Sequence, residues 1–281
     1  SHIDVHLPDG LIRQYSLCNH PDERHRYLIG VLKDPASRGG SQHLHEQINT
    51  GDRLQISEPR NLFPLVHEAR RSLLFAGGIG ITPILCMAER LAHSNADFEL
   101  HYCARSSDRA AFVERIRQSA FADRLFVHFD EQPETLMNAA QVLANPQPDL
   151  HLYVCGPAGF MQHVLDSARV QGWAEDRLHR EYFAAAAIDS SHDGSFSIKV
   201  ASSGQIIEIP ADKTVVAVLE SHGIDIPMSC EQGVCGTCLT NVLEGIPDHR
   251  DLFLTEEEQA CNNQFTPCCS RSKSPLLVLD I

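Results

Sequence analysis

Residues 230–238 read Cys-Glu-Gln-Gly-Val-Cys-Gly-Thr-Cys, and a further cysteine, Cys268, follows at a distance. The spacing C-x4-C-x2-C with a distant fourth cysteine is the plant-type arrangement that binds a 2Fe-2S cluster. Four thiolates must converge on two irons, and a loop containing Gly233 and Gly236 can bend around them and offer backbone N–H groups to the sulfurs. We therefore predict a 2Fe-2S site formed by Cys230, Cys235, Cys238 and Cys268.

A structural zinc site is the main alternative for these cysteines, although zinc ribbons usually show paired C-x2-C knuckles. Cys269 also competes with Cys268 for the fourth position. Adjacent residues on a strand point to opposite faces, so only one of them should reach the iron, and we choose Cys268. Six of the ten cysteines lie within residues 230–269. This uneven placement favours a reducing, cytoplasmic compartment over a disulfide framework.

Length and charge exclude several classes of protein. At 281 residues the chain is long enough for two or three domains. Its formal charge of −14 makes nucleic-acid binding improbable, because such binding needs a basic face. The longest apolar run, residues 73–88, is broken by glycines and a proline and is shorter than the roughly 20 residues of a membrane-spanning helix. We expect neither a membrane span nor a signal peptide.

The hydrophobic pattern changes along the chain. Residues 1–70 contain short alternating stretches such as 3–7, separated by turn residues, which predicts antiparallel β structure. After them, short apolar strands alternate with helical periodicity, for example residues 73–76 followed by 83–92, which predicts a parallel sheet covered by helices. Small and polar residues at 184–195 indicate a linker. The predicted domains are 1–70, 71–188 and 189–281.

A glycine-rich turn joins the first strand of the predicted parallel sheet to its helix. The run at 73–84 is Leu-Leu-Phe-Ala-Gly-Gly-Ile-Gly-Ile-Thr-Pro-Ile, and we expect Thr82 to cap the helix and Pro83 to begin it. Glycines let a pyrophosphate approach the backbone, and a helix N-terminus offers it free N–H groups. Such corners also carry glycine for packing alone, and Pro83 replaces the last glycine of the usual dinucleotide fingerprint.

A second run supports nucleotide binding. Residues 153–161, Tyr-Val-Cys-Gly-Pro-Ala-Gly-Phe-Met, again place a cysteine and glycines at the end of a predicted strand. Open α/β sheets bind ligands at the carboxyl ends of their strands. The two corners could therefore face one nucleotide.

Taken together, five stretches resemble the phthalate dioxygenase reductase family, and the resemblance covers essentially the whole chain. They are Arg13-Gln-Tyr-Ser16, Arg38-Gly-Gly-Ser41, Gly77-Gly-Ile-Gly-Ile-Thr-Pro83, Cys155-Gly-Pro157 and the C-terminal cysteine set. The resemblance implies an antiparallel β-barrel domain with FMN, an α/β NADH domain and a C-terminal β-grasp ferredoxin domain. Within that family, residues 57–64 and 248–251 most resemble the reductases of aromatic O-demethylases.

The resemblance also implies roles for single residues. Tyr15 would pack on the isoalloxazine and Ser16 would lie near its reactive nitrogen. Thr82 and Phe183 would close the flavin site, and Cys155 and Phe183 would lie nearest the nicotinamide and flavin rings. The flavin phosphate would be held by Arg13, Arg38, Gly39, Gly40 and Ser41, and the nucleotide by Gly77, Gly78, Gly80, Thr82, Pro83, Cys155, Gly156 and Pro157.

Two features modify this expectation. About 70 residues precede the nucleotide domain, whereas a closed flavin barrel should need about 100, so we expect the first barrel strands to be missing and FMN affinity to depend on their absence. Asp108 could accept hydrogen bonds from the adenosine ribose and favour NADH over NADPH. Arg105 and Arg109 lie near it in sequence and weaken that inference, and each residue could equally be a solvated surface charge.

The expected activity is transfer of electrons from NADH to FMN, then to the 2Fe-2S cluster, and finally to a Rieske-type oxygenase. Two alternatives remain open at this point. The chain could be a non-catalytic electron-carrying or redox-sensing subunit, or it could be a free flavin or ferric reductase.

Overall fold

The computed structural model describes residues 1–8, 10–35, 37, 39–184, 190, 191 and 193–281. Arg38 and residues 185–189 and 192 of the predicted linker lie outside the described residues. The chain divides into two compact units, Ser1–Tyr182 and Phe183–Ile281. Phe183, expected in the nucleotide domain, is the first residue of the second unit.

The first unit contains both the flavin and the nucleotide segments. Its strands are β1 (His2–His6), β2 (Ile12–Ser16), β3 (Gln55–Ile56), β4 (Arg71–Gly77), β5 (Asp97–Ala104), β6 (Leu125–Phe129), β7 (Leu150–Cys155) and β8 (Leu178–Glu181). Its helices are α1 (Gly40–Glu46), α2 (Ile81–His93), α3 (Val113–Arg117), α4 (Ala139–Val142) and α5 (Ala158–Val170).

The N-terminal strands form an antiparallel sheet in the order β2-β1-β3. Ile3, Val5 and Leu7 alternate along β1 and are buried in one apolar cluster with Leu17, as the period of two requires. The antiparallel structure predicted for this segment is confirmed, and in the described residues it is an open sheet of three strands. The sequence pattern did not predict α1.

The parallel sheet has the order β6-β5-β4-β7-β8, and each neighbouring pair runs parallel. Alternate residues of β4 bury opposite faces: Leu74 packs in the cluster that includes α2, and Phe75 packs in the cluster that includes α5. This confirms the predicted α/β sheet with helices on both faces. The strand order reverses between β4 and β7, and open α/β sheets bind ligands at such a switch point.

One prediction about α2 is wrong. The helix begins at Ile81, after a 3₁₀ turn at Gly78–Gly80, and no side chain caps it. The Thr82 hydroxyl donates to the Ile79 carbonyl at 3.0 Å, so Thr82 is inside the first turn. Because the 3₁₀ turn extends the helical segment toward its N-terminus, Thr82 and Pro83 lie within the first turn of α2 and not at its boundary.

The second unit is a mixed sheet with one main helix packed on it. Its strands are β9 (Phe196–Val200), β10 (Ile206–Ile209), β11 (Thr240–Glu244), β12 (Pro247–Asp248), β13 (Gln264–Phe265), β14 (Arg271–Ser272) and β15 (Leu276–Leu279), and its helices are α6 (Val215–Ser221) and α7 (Glu256–Ala260). The main sheet order is β10-β9-β15-β11-β13, with β15 and β9 parallel. Val215, Val218 and Leu219 of α6 fill its core.

None of the described helices is both long enough and apolar enough to cross a membrane.

Candidate functional site

The corners that follow β4 and β7 touch each other through their backbones. A Cβ atom built on Gly80 would lie 2.2 Å from the Cys155 carbonyl oxygen and 2.6 Å from the Gly156 nitrogen. One built on Gly156 would lie 2.9 Å from the Gly77 Cα atom. Real Cβ atoms do not approach this closely, so packing alone requires glycine at Gly80 and Gly156.

Gly78 differs from these glycines. Its φ is 52°, a value that favours glycine, and no atom lies within 4 Å of the position that a Cβ would take. The glycine corner is therefore packed on one side and open on the other. The open side is where a pyrophosphate could approach the backbone.

Two helix N-termini lie at this edge of the sheet. The helix α2 follows Gly80 and α5 follows Pro157, and neither first turn receives a hydrogen bond from a capping side chain. The first N–H groups of a helix have no partner inside the helix and attract anions. The edge therefore offers donors suited to the phosphates of a dinucleotide.

The predicted flavin-phosphate residues Arg13 and Gly40 are in contact. A Cβ on Gly40 would lie 2.5 Å from Arg13 Cγ and 2.9 Å from Arg13 Nε, so the guanidinium stem lies directly on the Gly40 backbone. Gly39 has φ 93° at the start of α1, and the Ser41 hydroxyl accepts a hydrogen bond from the Asp34 amide at 3.4 Å. The structure thus brings a cationic side chain onto the glycine turn, as a phosphate site needs.

Ser16 and Cys155, which we expected near the flavin and the nicotinamide, approach the same carboxylate. The Ser16 hydroxyl donates to Glu181 Oε2 at 3.4 Å, and Glu181 is the register partner of Cys155 on the neighbouring strand. Burial raises the pKa of Glu181. Burial, and then the nearby Glu181 carboxylate, hold the pKa of the Cys155 thiol well above its usual value. Cys155 is therefore a buried, protonated thiol and not a nucleophile.

Thr82 connects the nucleotide corner to the segment that follows β2. A Cβ on Gly30 would lie 2.7 Å from Thr82 Cγ2 and 3.2 Å from the Phe112 ring. Thr82 is buried, so its methyl group is a packing surface for the flavin half of the unit. Tyr15 lies on β2 beside this region, partly buried against the apolar cluster of β1, and burial raises its pKa.

Three predicted residues of the nucleotide and flavin sites are exposed, namely Arg105, Asp108 and Phe183. Arg105 and Asp108 follow β5 at the same carboxyl edge of the sheet. A hydrogen bond from Ser106 lowers the pKa of Asp108, so this carboxylate is ionised and could accept from ribose hydroxyls. Phe183 exposes much of its ring.

The cluster cysteines are arranged as two pairs. A hydrogen bond from the Cys230 thiol lowers the pKa of Cys235 to about 5, and one from Cys268 lowers the pKa of Cys238. The same hydrogen bonds raise the pKa of Cys230 and Cys268, so they show which sulfurs lie together and not which thiols are ionised.

The two pairs also distinguish between metals. A tetrahedral zinc site holds its four sulfurs about 3.8 Å apart, as follows from Zn–S bonds of about 2.3 Å. Two thiol pairs are the arrangement that two irons need, since each iron takes two cysteine sulfurs.

The loop between the cysteines forms a cradle that larger residues would fill. Gly233 and Gly236 have φ 68° and 66°. A Cβ on Gly236 would lie 2.3 Å from the Phe253 ring, and one on Gly233 would lie 2.4 Å from Cys269 Sγ. The Gln232 and Thr237 amides donate to Cys230 and Cys235 sulfurs, each at 3.4 Å. The donor set, the glycines and the N–H···S bonds fit a 2Fe-2S cluster.

Cys268 and Cys269 occupy different environments. Cys268 is buried and pairs with Cys238. Cys269 is only partly buried and lies near the Thr266 hydroxyl, 3.3 Å from its sulfur. This geometry supports Cys268 as the fourth ligand, as the spacing suggested.

The sequence patterns missed several residues that shape these sites. Glu181, Gly30 and Phe253 lie in no motif, and their contacts are made with residues far along the chain. Glu181 stands two positions before the predicted Phe183, which is the nearest signal in the sequence.

Known proteins resemble both units. The 2Fe-2S iron-sulfur cluster binding domain family matches residues 198–273. The N-terminal domain family of the dimethylamine monooxygenase subunit DmmA matches residues 57–178. A vanillate O-demethylase oxidoreductase of Pseudomonas putida is 76% identical over 100% of this chain and 89% of its own length.

Two solved structures resemble the whole chain. Phthalate dioxygenase reductase, described as a modular structure for electron transfer from pyridine nucleotides to [2Fe-2S], is 36% identical with a TM-score of 0.72, over 100% of this chain and 87% of that one. An intact type IV self-sufficient cytochrome P450 monooxygenase is 35% identical with a TM-score of 0.88. The chain spans 36% of the length of that larger protein.

Proposed function

Because the chain belongs to the family of the vanillate O-demethylase oxidoreductases and phthalate dioxygenase reductase, we propose that it is the NADH-dependent reductase component of a vanillate O-demethylase-like, Rieske-type oxygenase. The chain is an oxidoreductase that carries electrons from a pyridine nucleotide through a flavin to a 2Fe-2S cluster. When bound, the flavin accepts hydride and releases single electrons, which the cluster carries to an acceptor.

The observation that carries this proposal is the meeting of Ser16, Glu181 and Cys155. Ser16 is on the flavin strand β2, and Cys155 ends β7 at the switch point. Glu181 accepts a hydrogen bond from Ser16 and is paired with Cys155 on the neighbouring strand. Hydride transfer needs two rings held close in a fixed orientation, and no acid, base or nucleophile is required. Buried, fixed side chains at this point suit that task.

In this proposal the residues position the cofactors. Arg13 with Gly39, Gly40 and Ser41 binds the flavin phosphate, and Tyr15 packs on the ring system. Gly78 and the α2 and α5 N-termini bind the nucleotide phosphates, and Asp108 holds the ribose and disfavours a 2′-phosphate. FMN is the flavin that the Arg13 phosphate site suits, because it ends in a terminal phosphate.

The described cysteines are free thiols. Free thiols suit a reducing compartment, so we place the reductase in the cytoplasm, where its oxygenase partner would select the aromatic substrate.

The test compares Cys235→Ser with Cys261→Ser, a matched control because Cys261 is exposed outside the cluster loop. With NADH, the unmodified protein should turn over continuously on both ferricyanide and cytochrome c. Cys235→Ser should keep ferricyanide reduction, which needs only the flavin, and should lose cytochrome c reduction. Cys261→Ser should keep both. Anaerobic NADH should bleach the flavin and give a reduced 2Fe-2S paramagnetic resonance signal.

Other outcomes would overturn the proposal. Reduction that stops after one equivalent would identify an electron carrier or redox sensor. Cytochrome c reduction that survives in Cys235→Ser would identify a free flavin reductase.

A further inference from the structure

Three metal-ligating side chains, His20, Asp22 and His93, come together on the first unit at a place used by none of the sites above. They bring one ligand atom each to within 4.8 Å of one another. Asp22 Oδ2 lies 3.9 Å from His20 Nδ1 and 3.7 Å from His93 Nε2. We propose that these residues form a binding site for a divalent transition-metal ion, with zinc the best match.

The ligand chemistry selects this class of ion. Two imidazole nitrogens and one carboxylate oxygen suit zinc and its neighbours, whereas magnesium and calcium prefer oxygen ligands. Ligand atoms about 2.0–2.2 Å from a tetrahedral ion lie about 3.4 Å apart. The three ligand atoms are therefore slightly too far apart for one ion. Their separations must shorten by a few tenths of an ångström to about 1.4 Å when the ion binds. The side chains of Asp22 and His93 are 61% and 59% exposed, so they can make this movement.

The backbone holds the ligands in place from two elements. Asn19 is buried, and its amide oxygen accepts from the Leu28 N–H at 2.9 Å while its NH₂ donates to the His20 carbonyl at 3.3 Å. His93 is the last residue of α2, and its ring centroid lies 4.8 Å from that of His20. A preformed pair of imidazoles lowers the entropy cost of binding.

The His20 Nδ1 atom already acts as an acceptor. The Asp22 amide donates to it at 3.1 Å, and a metal ion would replace this hydrogen bond at the same lone pair. The Nε2 atom is buried without a hydrogen-bond partner among the described residues. No hydrogen bond at Nε2 therefore has to break when the ring turns toward the ion.

An ion at this site would join the two halves of the first unit. His20 and Asp22 follow β2, which carries Arg13 and Ser16, and α2 begins beside the glycine corner. The ion would bind the C-terminal end of α2 and the segment that follows the flavin strand β2, and would hold the two together. A ligand that binds only the folded state stabilises it, so zinc should raise the thermal midpoint of this unit.

The test is calorimetric titration of zinc chloride into holoenzyme freed of loose metal on a chelating resin. All proteins would carry Cys261→Ser, because Cys261 is an exposed thiol and thiols are general zinc ligands. The parent should show one saturable site. Asp22→Asn and His93→Gln should each weaken it by at least about tenfold, as the loss of a ligand requires. His163→Gln, which removes an exposed histidine of α5, is the matched control and should change nothing.

A second measurement separates binding from misfolding. Trp173 is the one tryptophan of the chain and is buried in the first unit, so its fluorescence reports that unit. Zinc should raise the thermal midpoint of the parent and of His163→Gln but not of His93→Gln, while the cluster absorbance stays constant. If the parent lacks a saturable site, or if the variants bind zinc as tightly as it does, the three residues form an ion-pair cluster only and the proposal is wrong.

Discussion

The substitution Gly80→Ala tests whether close packing of the two corners builds the nucleotide site. Gly80 has φ −59° and ψ −9°, a conformation that alanine adopts freely, so any cost must come from space. The added methyl would meet the Cys155 carbonyl oxygen at 2.2 Å, its carbon at 2.4 Å and the Gly156 nitrogen at 2.6 Å. All three are backbone atoms, which cannot rotate away.

The size of the effect follows from these distances. Ordinary contact begins near 3.4 Å, so the Cys155 carbonyl must recede by about 1.2 Å, the difference between 3.4 and 2.2. Overpacking of this kind costs about 1–3 kcal/mol. For a unit of this size, each kcal/mol lowers the thermal midpoint by about 2–4 °C. We expect a decrease of roughly 2–12 °C.

The same displacement should impair catalysis. Moving the Cys155 corner by about 1 Å can slow hydride transfer by about a hundredfold, whereas the cluster in the other unit should be unaffected. The assay is NADH–ferricyanide turnover, with the midpoint followed by Trp173 fluorescence. Gly194→Ala is the control, because Gly194 also has open space at its Cβ position and lies in none of the proposed binding sites, so it should tolerate alanine. A Gly80→Ala protein with normal midpoint and normal turnover would refute this account of the corner.

Two further predictions concern the sheet core and the cluster loop. Burial, and then the charge of His128, lower the pKa of His101 to about 4. Between about pH 6.5 and pH 4 the imidazole is therefore protonated in the unfolded chain and neutral in the folded one. The free energy of unfolding should therefore fall by up to about 2 kcal/mol between pH 7 and pH 5, and urea titrations of His101→Phe should show a weaker decrease. Gly236→Ala should reduce the cluster content, measured by visible absorbance, because left-handed backbone costs alanine about 1–2 kcal/mol and the methyl also meets Phe253. Adding Phe253→Leu should restore part of that content, and no rescue at all would argue against the ring contact.

Features determined locally could be predicted from the sequence. The cysteine spacing lies mostly within one loop, and thiol chemistry restricts what such a loop can bind. The α/β pattern was readable because buried parallel strands are apolar runs bounded by glycine corners. The capping box is likewise local, since Thr255 and Glu258 are three positions apart, and the positive φ of Gly172 follows directly after the end of α5.

Features determined by distant contacts could not be predicted. The contact between Ser16 and Glu181 joins residues 165 positions apart, and no local pattern indicates it. Thr82 was predicted as a cap because threonine is often found at that position, but after the 3₁₀ turn α2 begins at Ile81, two residues earlier than predicted. That turn depends on how Gly80 packs against β7, which only the folded sheet determines.

The glycine corner shows why a motif alone is ambiguous and how a structure resolves it. Gly80 and Gly156 would clash with backbone if they carried a side chain, so their presence is explained without any ligand. Gly78 has no such neighbour and a left-handed φ, so its place in the corner is explained by conformation and by the open space beside it. The sequence alone does not distinguish these glycines, whereas in the structure only Gly78 leaves room for a phosphate beside the backbone. The case for a nucleotide at this edge therefore depends on Gly78, on the two uncapped helices and on the Ser16, Glu181 and Cys155 junction, and not on the number of glycines.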